Sequence, residues 1–100
     1  MVKHIIIWTL KEEFNEAQKA EIKEGIKANL ESLKGQIPGL VDIKVEINGL
    51  ASSTGDCLLD TTFENAASLS GYSKHPAHVA VANTYVRPYT AIRNCFDFEV

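Results

Sequence analysis

The stretch VKHIIIWTL, residues 2–10, decides the fold. Its run of β-branched residues reads as a strand. Val2, His4, Ile6, Trp8 and Leu10 share one face, and Lys3, Ile5, Ile7 and Thr9 share the other. Both faces are largely apolar, so the spacing predicts a central strand covered on both sides.

A helix is expected next. Asn15 can cap it, with Gln18 three residues on completing a capping box. Ile22, Ile26, Leu30 and Leu33 recur at helical spacing and form its apolar stripe. Gly35 is the expected residue just past its end, and Pro38-Gly39 prevents continuation. Residues 40–48 then alternate, with Val41, Ile43, Val45 and Ile47 turned inward and Asp42, Lys44 and Glu46 outward. A third strand is expected over 57–63. A short helix starts at Glu64-Asn65 and stops near Gly71. A further helical stretch runs from Pro76 to about Thr84, and a last strand covers 90–100, with Ile92, Phe96 and Phe98 on one side.

The order β-α-β-β-α-β is that of the split βαβ, or ferredoxin-like, motif. It predicts an α+β domain, residues 1–100, with a four-stranded antiparallel sheet in the order 4-1-3-2 and both helices on one face. The first strand is then central. Its second apolar face needs another cover, and a second copy of the chain packed sheet to sheet supplies one. A homodimer is therefore expected.

Bulk properties narrow the partners. A net charge of −3 gives no long-range attraction for nucleic acid or an anionic membrane. No apolar run approaches the roughly 18 residues of a transmembrane helix. The first residues do not read as a secretion signal, so the expected compartment is the cytoplasm. Cys57 and Cys95 match neither a redox pair nor a zinc knuckle and are expected to be buried thiols. The third and fourth strands are not neighbours in this topology, so no disulfide is expected between them.

Chemistry concentrates in GYSKHPAHVAV, residues 71–81. Proline suits the first helical position, which makes Pro76 the first helical residue and His75 the cap. His78 then lies in the first turn, where the backbone N–H groups disfavour imidazolium. A neutral imidazole can act as a base, and Tyr72 can donate a proton or a hydrogen bond. His4 shares its strand face with Ile6 and Trp8, and Asp97 on the neighbouring last strand can accept from its ring. A metal reading would use His75 and His78 with His4 and Asp97. A cap and a third-position side chain need not converge, and no cysteine or carboxylate lies in the segment. A haem would need an axial ligand facing a wide cavity, and small Ala80 and Ala82 do not establish one. No metal or cofactor is expected.

These features together resemble the stress-responsive A/B barrel domain family, often called Dabb. The similarity rests on the opening strand with His4, on Tyr72, His75, Pro76 and His78 in the Tyr-x-x-His-Pro-x-His pattern, and on Asp97-Phe98 near the end. It spans nearly the whole chain and implies a dimeric α+β barrel. For most members it implies no defined reaction. One plant branch comprises polyketide cyclases, in which the motif tyrosine and second histidine do acid/base work. Carried over, those are Tyr72 and His78, with His4, Ile6 and Trp8 on the wall and Asp97 near the imidazole. His75 completes the expected ligand-binding set. The first helix, with EIKEGIKANL, has none of the aromatic residues that a cyclase pocket uses to hold a polyketide. The expected function is binding of a small molecule around Tyr72 and His78. The alternative is a cofactor-free cyclase, isomerase or lyase acting on a carbonyl compound.

Overall fold

A computed structural model of the chain describes residues 1–100. Strand β1, Val2–Leu10, leads to helix α1, Glu16–Glu31. Strands β2, Leu40–Glu46, and β3, Cys57–Phe63, follow. Then come α2, Ala66–Lys74, and α3, Pro76–Val81, a π-helical turn, Ala82–Val86, and strand β4, Thr90–Glu99. The four strands form one antiparallel sheet ordered β2-β3-β1-β4. This is the expected ferredoxin-like α+β topology, with β1 inside.

The helices cover one face of the sheet. Val2, His4, Ile6, Trp8 and Leu10 of β1 are buried beneath them, with Ile26 and Leu30 of α1, Leu33, and Leu59 and Phe63 of β3. Asn15 and Gln18 make the expected capping box, each side chain accepting from the other's backbone N–H at 2.8–2.9 Å. No helix is long and apolar enough to cross a membrane.

Four expectations need correction. Helix α1 ends at Ser32 rather than at Gly35, and tight turns carry the chain onward before Gly35 takes its positive φ of 85°. In β2 the pairing skips a residue between Leu40 and Asp42. Leu40, not Val41, therefore turns into the core, and Val41 is exposed. This bulge puts two residues opposite one, which an alternation read from sequence does not register. Helix α2 passes through Gly71 to Lys74. Gly71 faces open space, so only its own helix propensity, about 1 kcal/mol, opposes it. Finally, Cys95 is exposed, while Cys57 is buried; both are free. β4 is an edge strand and the helices do not extend over it, so its residues from Ala91 onward are all exposed.

The other sheet face has no cover within the chain. Register places Ile5 and Ile7 of β1 opposite Phe96 and Asn94 of β4, and opposite Asp60 and Leu58 of β3. Ile92, Phe96 and Phe98 lie on this same side and are exposed, with the two phenylalanine rings 5.8 Å apart. Polar residues flank them, including the Lys3–Asp60 pair at 2.6 Å and the Lys44–Glu46 pair at 3.0 Å. An apolar centre within a charged margin is the anatomy of an association surface.

Gly39 makes a local prediction. Its φ is 79°, and a Cβ there would overlap Ser68 Oγ and Cβ. Gly39→Ala is expected to destabilise the fold by about 2–3 kcal/mol, through the strained backbone and the collision together. Urea unfolding midpoints measure it; a loss of a few tenths would mean that the turn and α2 move apart freely.

Candidate active site

Tyr72 and His78 lie on different helices, and Pro76 is the reason they meet. Six residues apart on one continuous helix, they would be separated by about 120° around the axis. His75 instead leaves the helix, with φ −64° and ψ 132°, and α3 restarts at Pro76. The break brings the two rings face to face at 4.2 Å between centroids, tilted by 39°. Tyr72 is only 1% exposed and packs also on Phe63 at 5.0 Å. Its hydroxyl is buried without a hydrogen-bond partner, and so is Nδ1 of His78. Two unpartnered polar atoms from residues that line one cavity are unusual in a folded protein, where buried polar groups are nearly always paired.

Burial sets the chemistry of both. It pushes the Tyr72 phenol far above its ordinary value of 10, so Tyr72 is a neutral donor at any physiological pH. It also lowers the His78 pKa from 6.5; the Ser73 carbonyl opposes this, and the charges of Arg87, His4 and Arg93 assist it. His78 is neutral at pH 7 as expected, but the main cause is burial rather than the helix terminus.

The sign of the resulting pH effect follows. An unfolded chain protonates His78 near 6.5, before the folded chain does. Stability therefore falls as pH drops through 6.5 and stops falling, for this residue, below the folded pKa. His78→Gln is expected to remove this part of the slope as pH falls through 6.5, read from urea midpoints. An unchanged slope would show that His78 titrates normally.

His4 lies across the same cavity on β1. The register sets it opposite Asp97, and its Nδ1 is 2.5 Å from Asp97 Oδ1. Burial raises the Asp97 pKa, but the hydrogen bond and charge of His4, with help from Cys95 and Arg93, bring it below its ordinary value. On the other side, buried Thr61 donates to the His4 carbonyl at 2.6 Å, which fixes the strand at this residue. Cys95 Sγ lies 3.7 Å from His4 Nδ1 and 3.4 Å from Asp97 Oδ1. Burial first, then Asp97, pushes its thiol pKa up.

The cavity between helices and sheet holds about 100 Å³. His4, Ile6 and Trp8 form its wall on the sheet side, together with Tyr72 and His78 from the helices. It therefore unites five of the seven expected site residues. Asp97 stands behind His4 and reaches the cavity through it. His75 is elsewhere: its Nδ1 accepts from the Ala77 N–H at 3.1 Å as a helix cap, and it borders a separate hollow beside Pro38 and Glu64. His75 and His78 thus face different spaces and do not converge on one point.

Arg87, Thr90 and Arg93 also line the cavity, and sequence reasoning missed them. Arg93 pairs with Trp8 across the sheet, so the register that placed Asp97 beside His4 carried the signal for Arg93 as well. Arg87 had no such signal. The π-helical turn, closed by the Arg87 N–H donating to the Ala82 carbonyl at 2.8 Å, inserts an extra residue and turns Ala82, Val86 and Arg87 toward the cavity.

The family model for the stress responsive A/B barrel domain, Dabb, matches residues 2–100. The chain belongs to the Dabb family. Among curated proteins no sequence matches this Dabb chain. It is similar to a dimeric protein of unknown function with a ferredoxin-like fold from Bacteroides fragilis, with 27% identity, 99% of this chain and 95% of that one covered, and a TM-score of 0.91. It also resembles a dimeric ferredoxin-like protein of unknown function from Thermobifida fusca, with 21% identity, coverage of 99% and 90%, and a TM-score of 0.82. A hydroxynitrile lyase from Passiflora edulis shares the fold, with 15% identity, coverage of 97% and 90%, and a TM-score of 0.76.

Proposed function

We propose that this Dabb protein is a cytoplasmic homodimer that binds a small carbonyl-bearing molecule between Tyr72 and His78. The observation that carries this reading is the pair of orphaned polar atoms, Tyr72 OH and His78 Nδ1, at a cavity. A carbonyl oxygen accepts from the phenol, and a second polar atom of the ligand pairs with the imidazole, accepting when His78 Nδ1 carries the proton and donating when it does not. Size restricts the ligand. About 100 Å³ is roughly three times the share of one water molecule in the liquid, far below the 300–1,000 Å³ typical of drug-sized ligands. A polyketide does not fit such a space. Arg87 and Arg93 at the cavity favour an acidic ligand, so oxo acids of roughly three to five carbons are the best probes. His4, Ile6 and Trp8 serve as the wall, and Asp97 orients His4. His75 acts on the ligand only indirectly, by starting α3.

Dimerisation is supported by the uncovered apolar sheet face and by the dimeric relatives from B. fragilis and T. fusca. The two free thiols accord with a reducing compartment.

A second reading, a cofactor-free lyase, isomerase or cyclase, is favoured by one specific feature. A neutral base and a neutral donor stand 4.2 Å apart, ring to ring, on the wall of a small cavity. His78 would take a proton beside a carbonyl, and Tyr72 would donate to the developing oxyanion. The hydroxynitrile lyase of the same fold gives this reading a precedent in kind.

The test is a chemical-shift titration with small oxo acids and their amides. The acids are expected to perturb His78 and Tyr72, and Arg93→Gln to weaken them about tenfold, the scale of one charge-assisted hydrogen bond. If no member of the series perturbs either residue, or if His78→Ala binds as well as the native chain, the reading fails. Turnover that His78→Ala abolishes while binding persists would decide for the enzyme.

A further inference from the structure

We propose that His4, Asp97 and Cys95 form a binding site for a divalent transition metal, with Zn²⁺ and its first-row neighbours as the fitting class. His4 Nδ1, Asp97 Oδ1 and Cys95 Sγ all lie within 4.8 Å of one another. The decisive feature is which atom they share. Asp97 Oδ1 at 2.5 Å and Cys95 Sγ at 3.7 Å both approach the same ring nitrogen of His4. A thiol–imidazole–carboxylate relay needs the thiol and the carboxylate on opposite nitrogens of the ring, so this cluster is not built as a cysteine nucleophile. Three different donors converging on one point are what a single cation requires.

The distances agree. Bond lengths of about 2.0–2.3 Å from zinc to nitrogen, oxygen and sulfur put tetrahedral ligands about 3.4–3.6 Å apart. Cys95 Sγ is already 3.4 Å from Asp97 Oδ1 and 3.7 Å from His4 Nδ1. Only the His4–Asp97 contact must open, by about 0.9 Å on the same geometry, and the metal then replaces the shared proton. On binding, the Cys95 thiol gives its proton to water, the proton shared between His4 Nδ1 and Asp97 passes through solvent to His4 Nε2, and Nδ1, carboxylate and thiolate supply the three electron pairs.

The scaffold is rigid where it must be. His4 is 6% exposed, and its strand is held by the Thr61 hydroxyl bond to its carbonyl. Asp97 is its direct cross-strand partner, and Cys95 is two residues away on the same side of β4. Cys95 and Asp97 are exposed, so the metal enters from solvent and water completes the coordination. A nitrogen, an oxygen and a sulfur donor together suit zinc, cobalt or copper rather than magnesium or calcium.

The probe is Co²⁺, titrated into the full chain and followed by absorbance. Binding of about one Co²⁺ per chain with a thiolate-to-cobalt charge-transfer band in the near ultraviolet is expected, bleached by added Zn²⁺. Cys95→Ser, on an exposed edge, should fold and lose the band; Asp97→Asn should weaken binding tenfold or more; Cys57→Ser should keep it. Tyr72→Phe should also keep it, so this result is independent of the ligand reading above. Absence of the band in the native chain, or its survival in Cys95→Ser, would overturn the assignment.

Discussion

Phe96→Glu is expected to leave the chain folded and to convert a dimer into a monomer at micromolar concentration. Phe96 is 69% exposed in the single chain and lies on the edge strand within the apolar patch, opposite Ile5 and beside Phe98. A Phe96 side chain already this open contributes little to the fold of one chain. In a two-fold symmetric dimer it enters the interface twice. Burying a phenylalanine is worth about 2–3 kcal/mol, and putting a carboxylate there adds a desolvation cost. Two such losses, about 5 kcal/mol together, correspond to a dissociation constant several thousandfold higher. Light scattering or analytical ultracentrifugation reads the mass, and circular dichroism reads the fold. A native chain that is already monomeric, or a variant that remains dimeric, would place the interface elsewhere.

Tyr72→Phe is expected to stabilise the protein while it removes ligand binding. These effects rarely point in opposite directions at a buried aromatic residue. The phenol is buried without a partner, and an unmade hydrogen bond of this kind costs roughly 1–3 kcal/mol. Phenylalanine keeps the packing on Phe63 and His78 and deletes only the orphaned oxygen. The expected gain is about 1 kcal/mol, which in a domain of this size raises the melting temperature by about 4–8 °C. Affinity for the best oxo acid should fall at least tenfold, since the donor to its carbonyl is gone. A structural tyrosine would behave otherwise: its loss would lower stability and leave binding alone. Destabilisation by Tyr72→Phe would therefore show that the hydroxyl has a partner and is no ligand donor. A polar group kept unsatisfied against stability is the usual mark of a functional site.

How much of this was legible in the sequence depended on how far each feature reaches along the chain. Asn15 and Gln18 are three residues apart, and their capping box could be read directly. So could the start of α3, because Pro76 and His75 constrain one another as neighbours. The β1 pattern told both its position in the sheet and the need for cover on its second face. The β2 alternation failed at one residue, Val41, because a bulge is a property of two strands and not of one. Gly71 reads as a helix stop, yet α2 runs through it because the packed Tyr72 just beyond holds the helix on.

The site divided in the same way. Tyr72, His78, His4 and Asp97 could be named from motif and register, but the cavity volume could not, since it is what remains after Trp8, Leu30 and Leu59 have packed. Arg87 entered only through the π-helical turn, and Cys95 joined His4 and Asp97 through the β1–β4 register, its exposure following from helices that stop short of the edge strand.

The sequence by itself determined the order of elements, the central place of β1, the helix break at Pro76 and the polar residues it brings forward. These rest on periodicity and capping, which act between residues one to four positions apart. Tertiary structure alone decided which side chains share one space: the small cavity with its two arginines, the orphaned Tyr72 and His78 atoms, and the three donors around His4 Nδ1. Those depend on contacts between residues as much as 93 positions apart, and on which edges the helices leave uncovered. No local pattern encodes either.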